Sequence, residues 1–317
     1  MKGNDSMILT IDQLRTLVCG VCNFSEEDGW LASYHFTNEQ IEAFKPDDFY
    51  YVRAHHSSGI SLRVRTDSPR IAFDYKLLRR CSADSIDVFA DDVPVMMFRL
   101  KDAPDEGRID CTLPEGSKTV TVYFPLDNQM LVKDLELDGE WKPARSRTKV
   151  LWIGDSITQG YGPLLAGYSY ANIANRRLHW DITVQGIGGV RYDERYAMPI
   201  DGYTPDKIVV SLGTNGCGSA DNVPRAETFF AAMDKLYPGI PMLVITPIWR
   251  MGGWEGIVAD NPKVLEICAK YPNITTVDGF ALVPHVDTMF IDGLHPNTLG
   301  CTYYGENLAK EIRRLKF

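Results

Sequence analysis

The chain reads as an α/β protein in which an antiparallel β-sandwich or jelly roll precedes a parallel sheet wrapped by helices. Three observations carry that reading. Residues 49 to 140 hold short runs in which apolar and polar residues alternate, with turn residues between the runs, the pattern of half-buried antiparallel strands. Beyond residue 148, apolar strand-like runs alternate with helix-like ones, as parallel sheets require. Between the two lies Trp141-Lys142-Pro143-Ala144-Arg145-Ser146-Arg147, polar, basic and broken by proline, which reads as a linker. At 317 residues the chain exceeds one domain of about 100 to 200 residues, so we expect an accessory unit at 1–145 and a second unit at 146–317.

In chain order, Ile11, Leu14, Leu17 and Val18 stand at helical spacing and predict a short amphipathic helix within residues 10 to 22. Thr37 with Gln40 three residues on predicts a capping box before Ile41 and Phe44. The alternating texture then begins near Phe49 and includes Ser61–Arg65, Arg70–Tyr75 and Lys118–Phe124, punctuated by Asp67-Ser68-Pro69, Ala90-Asp91-Asp92, Pro114-Glu115-Gly116 and Asp138-Gly139. In the second half the expected strands are Val150–Ile153, Ile182–Gln185, Lys207–Leu212, Met242–Thr246 and Ile274–Val277. The expected helices are Ser169–Leu178, Ala226–Tyr237, Pro262–Tyr271 and Thr298–Leu315, the last capped by Asn297.

Composition narrows the function classes. Hydrophobic residues at 44% and charged residues at 24% are ordinary for a folded globular chain. With 33 Lys plus Arg against 42 Asp plus Glu and a net charge of −9, no concentrated basic face is available for nucleic acid or an anionic membrane. No apolar stretch of about 20 residues reads as a membrane span, and the N-terminal MKGNDSMILTIDQL lacks an apolar leader core, so a cytoplasmic protein is expected. Seven scattered cysteines, an odd number, suit free thiols. Cys19-Gly-Val-Cys22 is a lone pair without further ligands, and His55-His56 reads as surface or sheet residues, so no metal site is expected.

The chemistry concentrates after the strands of the second half. Val150 to Ile153 ends at Gly154-Asp155-Ser156, which places a serine at the edge where ligands bind in open α/β sheets. The next strands end in Gln185-Gly186-Ile187-Gly188-Gly189 and Ser211-Leu212-Gly213-Thr214-Asn215-Gly216, and Asp292-Gly293-Leu294-His295-Pro296-Asn297 stands near the C-terminus. Taken singly, each is compatible with an ordinary turn or a glycine-rich loop. Taken in order, they supply acyl-transfer chemistry: a hydroxyl that needs a base, a His able to act as one near neutral pH, and an Asp to fix its tautomer. Glycine N–H and Asn amide groups can then stabilise an oxyanion. The signatures of α/β-hydrolases, Rossmann dehydrogenases and P-loop enzymes are missing.

Together these motifs resemble the SGNH, or GDSL-type, esterase and lipase superfamily over about residues 148 to 317. The resemblance implies a flavodoxin-like sheet, Ser156 as nucleophile, His295 as base and Asp292 as its acid. It also implies Ser156, Gly189 and Asn215 as oxyanion donors, with no metal or organic cofactor. Gln185 stands where members often carry Asn, and Gly188 where Ser is frequent. His285 and Asp287 are backups outside the motif context.

Two-domain members with an N-terminal β-sandwich are often carbohydrate esterases, so the implied substrate is a short-chain, O-acetyl-type ester on a carbohydrate. Trp249, Trp254 and Tyr161 are candidate pocket walls, with Arg250 a candidate contact for an anionic group; the tryptophans equally suit loop anchors. An acyltransferase, lipase or thioesterase using the same site is the alternative, and a non-catalytic carbohydrate-binding protein is the alternative of another class. Nothing in the sequence specifies a homo-oligomer.

Overall fold

In the computed structural model, which describes residues 7–82 and 84–317, two antiparallel sheets precede a five-stranded parallel one. The leader reading concerns in part Met1 to Ser6, which lie outside the described residues. The first antiparallel sheet runs Asn23–Glu27, Trp30–Tyr34, Asn128–Leu137, Arg70–Arg80 and Glu106–Thr112 in spatial order. The second runs Trp141–Pro143, Ser61–Thr66, Lys118–Tyr123, Ser85–Ala90 and Val93–Arg99. The period-two pattern is what turns their apolar faces together: Leu62 and Val64 are buried while Arg65 is exposed. Ile71, Phe73 and Tyr75 from one sheet share a core with Val64, Val120 and Val122 from the other. Each such side chain contributes about 1.5–3 kcal/mol before conformational entropy is subtracted.

Four local readings differ from the structure, the first being the linker, whose Trp141–Pro143 pairs as a strand with Ser61–Thr66 because its extended backbone completes that sheet's edge. Phe49 to Val52, placed at the start of the strand-rich segment, belongs to the helix Asp48–Ala54. Asp47 caps it, accepting the N–H groups of Phe49 at 3.0 Å and Tyr50 at 3.2 Å, and this local bonding outweighs the β preference of the aromatic run. The first helix stops at Leu17, and Val18–Cys19 pairs instead with the strand Ser61–Thr66. Pro262, read as a helix start, lies inside the helix Trp254–Cys268, whose buried Ile257, Val264 and Ile267 hold it together through the proline.

The parallel sheet has the spatial order Asp181–Gly186, Lys149–Gly154, Lys207–Ser211, Met242–Ile245, Ile274–Val277. Counted along the chain this is 2-1-3-4-5, the flavodoxin-like order, with its switch point between the first and third strands. The helices Tyr170–Leu178 and Thr298–Leu315 cover one face, and Asn222–Leu236 with Trp254–Cys268 covers the other. Phe36, Ile41, Phe44 and Ala54, from far upstream, share that second core. Their segment is also tied by hydrogen bonds: the Gln185 side-chain amide donates to the His35 carbonyl at 3.0 Å and pairs with Gln40. All seven cysteines are free thiols, and among the described residues no helix is long and apolar enough to cross a membrane.

Candidate active site

Ser156 follows the first parallel strand and opens the short helix Ser156–Gln159. The turn from strand to helix is tight because Gly154 carries no side chain: a Cβ there would stand 2.0 Å from Thr158 Oγ1. Asp155 caps the helix, its Oδ1 accepting the Ile157 N–H at 3.0 Å. The Ser156 N–H therefore points out of the first turn, where no intrahelical acceptor exists.

His295 comes to this serine from the loop before the last helix. Ser156 Oγ lies 2.8 Å from His295 Nε2, and His295 Nδ1 lies 2.7 Å from Asp292 Oδ2. The three-residue spacing works because Asp292 also shapes the loop, its Oδ1 accepting the N–H groups of His295 at 2.8 Å and Leu294 at 3.0 Å. Burial by itself would raise the Asp292 pKa, but those N–H groups and the His295 ring outweigh it and hold the carboxyl below its usual range. Tyr161 packs edge-on against His295, with ring centroids 4.8 Å apart.

The glycine loop and Asn215 complete the arrangement. Gly189 has φ of +76°, a left-handed conformation that favours glycine, and a Cβ there would also meet the Phe49 ring at 3.4 Å. The Gly188 N–H donates to Gln159 Oε1 at 2.7 Å and is thus committed within the protein. Asn215 Nδ2 donates one proton to the Val190 carbonyl at 3.0 Å, which orients the amide and leaves its second proton for a ligand. Ser156, His295, Asp292, Gly189, Asn215 and Tyr161 all line one cavity of about 350 Å³.

Trp249 and Trp254 do not line that cavity. Trp249 stacks on His285, with centroids 5.3 Å apart, and packs against Phe290, while Trp254 begins the helix Trp254–Cys268. Arg250 is engaged with the Thr214 carbonyl at 3.2 Å and the Gly253 carbonyl at 3.1 Å, bracing the loop beside Asn215. The backup His285 bonds to the Phe280 carbonyl at 2.8 Å, and Asp287 to the Thr288 N–H at 2.8 Å.

Four lining residues escaped the sequence reading: Phe49, Arg53, Asp127 and Gln159. The first two stand four apart on a helix too short to show periodicity. His56, expected at a surface or in a sheet, is fully buried and lies 3.1 Å from Asp127 Oδ1. Gln159 donates to the same Asp127 oxygen at 2.6 Å while holding Gly188, so a buried polar chain links His56 to the glycine loop. Among the described residues no group of three or more His, Cys, Asp or Glu is placed to hold a metal ion.

Burial pushes the Asp155 carboxyl up to about 7 even though it accepts backbone N–H groups. The folded protein therefore keeps a proton that the unfolded chain, with a pKa of about 3.9, releases. The stability this contributes is complete below about pH 4 and is lost as pH rises toward about 7. Asn caps helices as well as Asp, so Asp155→Asn isolates the effect. Melting temperatures across that window are expected to show wild type losing more stability with rising pH than the variant; parallel curves would remove the assignment.

Residues 152–302 match the model of the GDSL-like Lipase/Acylhydrolase family. No curated protein matches the sequence. Solved structures of similar fold include a salicylyl-acyltransferase, SsfX3, from a tetracycline biosynthetic pathway, with a TM-score of 0.79, 20% identity, and coverage of 100% of this chain and 98% of that one. A family two carbohydrate esterase from Cellvibrio japonicus aligns with a TM-score of 0.68 at 16% identity, covering 98% of this chain and 97% of that one. An acetyl xylan esterase, Est2A, from the rumen bacterium Butyrivibrio proteoclasticus aligns at 0.64 and 15% identity, covering 98% of each chain. At such identities the likeness is one of fold.

Proposed function

We propose that this chain, whose residues 152–302 match the GDSL-like Lipase/Acylhydrolase family model, is a serine hydrolase that cleaves a short-chain acyl ester, of acetyl type, from a carbohydrate. The observation that carries the reading is the continuous path from Ser156 Oγ to His295 Nε2 at 2.8 Å and from His295 Nδ1 to Asp292 Oδ2 at 2.7 Å. In this reading His295 takes the serine proton as the hydroxyl attacks the ester carbonyl, Asp292 stabilises the imidazolium, and the alcohol leaves with that proton. The Ser156 and Gly189 N–H groups and the Asn215 amide face the oxyanion, an interaction typically worth about 2.7–4 kcal/mol per donor. Water, activated by His295, then releases the acyl group.

Two features support hydrolysis of a small acyl group. The side chain of Asp292 is 45% exposed, so solvent reaches the far end of the triad. A cavity of about 350 Å³ lies near the lower end of the roughly 300–1,000 Å³ range of small-molecule sites, which suits a short acyl group. The carbohydrate half is supported by the similarly folded esterases of Cellvibrio japonicus and Butyrivibrio proteoclasticus. The acyltransferase alternative has a similarly folded counterpart in SsfX3.

The test is hydrolysis of p-nitrophenyl esters from acetate to palmitate, alongside a peracetylated sugar. Activity is expected on acetate and on the sugar, declining steeply with chain length. A maximum at long chains would replace the reading with a lipase or thioesterase, and silence on every ester by folded protein would remove the esterase reading.

A further inference from the structure

The accessory half of the chain contributes a charge to the cavity. Phe49 and Arg53, both on the helix Asp48–Ala54, line it beside Ser156 and the glycine loop. The Arg53 guanidinium carbon sits 3.4 Å from the centre of the Phe49 ring, and Nη1 donates to the Phe49 carbonyl at 3.1 Å. Stacking and this bond fix the plane of the guanidinium without using its remaining N–H donors. The loop below makes room for it: a Cβ on Gly188 would come within 3.2 Å of Arg53 Nε.

The acidic groups of the same cavity are engaged elsewhere. Asp127 accepts from Gln159 at 2.6 Å and lies 3.1 Å from His56, while Asp292 is held by His295 and the backbone of its own loop. Arg53 forms no ion pair with a carboxylate among the described residues. Among the described residues lining the cavity it is the one Lys or Arg side chain, pre-oriented and with N–H donors to spare. Arg250, by contrast, is bonded to the carbonyls of Thr214 and Gly253.

We propose that Arg53, stacked on Phe49, is a carboxylate-binding subsite, and that the substrate is an ester bearing a carboxylate near the scissile bond. The inference rests on the esterase reading of the same cavity. A planar guanidinium offers paired donors that match the two oxygens of a carboxylate, and its fixed orientation lowers the entropic cost of the match. Such an anion belongs either to the acyl group, as in a dicarboxylic half-ester, or to the alcohol, as in an acylated sugar acid or hydroxy acid.

Paired substrates separate these sources. For the acyl side, p-nitrophenyl hydrogen succinate is compared with p-nitrophenyl butyrate; for the alcohol side, p-acetoxybenzoate is compared with phenyl acetate. Wild type is expected to favour the anionic member of one pair. The ratio of kcat/KM for the anionic over the neutral ester is expected to fall roughly ten- to a hundredfold in Arg53→Met, as loss of a charged hydrogen bond implies, with Arg53→Lys in between. A ratio unchanged in Arg53→Met, or the absence of any anionic preference in wild type, overturns the proposal.

Binding tests the subsite apart from turnover. Where the alcohol-side pair shows the preference, calorimetry with the uncleaved amide p-acetamidobenzoate against acetanilide is expected to show tighter binding of the acid to wild type, lost in Arg53→Met. Tighter acid binding without hydrolysis of any ester would retain the subsite and remove the esterase reading. Equal binding of acid and neutral amide, together with no anionic preference in the succinate pair, would remove the subsite while leaving the hydrolysis of neutral esters as the measure of the esterase reading.

Discussion

Ser156→Ala is expected to lower kcat for ester hydrolysis by about 10⁴- to 10⁶-fold while leaving the fold intact. The size follows from what the hydroxyl does in the proposed mechanism: without it no acyl-enzyme forms, and only binding and the oxyanion donors remain to assist attack by water. The fold should survive because the change removes one oxygen from a side chain whose hydrogen bond is to His295, and Ala is a good helix former at the head of Ser156–Gln159. Pre-steady-state kinetics give a second readout, since the initial burst of p-nitrophenol should vanish with the acyl-enzyme. Unaltered turnover by a folded Ser156→Ala protein would exclude Ser156 as nucleophile.

His295→Ala is expected to be nearly as severe, with Asp292→Asn less so. Groups that act as one unit do not contribute additively, so the double variant Ser156→Ala/His295→Ala should be scarcely slower than either single one. Asp292 differs because its loop contacts separate its two roles. Oδ1 accepts the N–H groups of Leu294 and His295, while Oδ2 faces the imidazole. Asn at this position can keep the first contact through its carbonyl oxygen but removes the negative charge opposite His295. Single-variant and double-variant rate constants on p-nitrophenyl acetate check both statements; additive losses in the double variant would break the proposed coupling of Ser156 with His295.

The proposed triad was legible because each member sits in a short motif beside a strand end or a helix cap. Gly154-Asp155-Ser156 ends the strand Lys149–Gly154, and Asp292-Gly293-Leu294-His295 leads into the helix capped by Asn297. The alternation of strand-like and helix-like runs made a parallel sheet wrapped by helices legible, while its flavodoxin-like order came only from the family resemblance. The pocket wall was not. Phe49 and Arg53 reach the cavity only because their short helix is folded back against the parallel-sheet half, and no local pattern encodes a contact of that range. The two tryptophans stood equally between pocket wall and loop anchor for a related reason: proximity in sequence to the sheet edge does not fix which way a long loop turns, and Trp249 turned toward His285. His56 shows the same limit, since its burial depends on Asp127 and Gln159, residues it meets only after folding.

The sharing of one core by Phe36, Ile41 and Phe44 with Phe229, Phe230 and Ile267 also imposes an order on biosynthesis. On the ribosome the early residues emerge long before the late ones exist. At about 5–20 residues per second, Tyr196, whose ring packs against Phe36 and Phe44, follows residue 44 by roughly eight to thirty seconds. Throughout that time the nascent segment exposes aromatic surface that the folded protein buries, so the danger of aggregation is greatest before the parallel-sheet residues have left the exit tunnel.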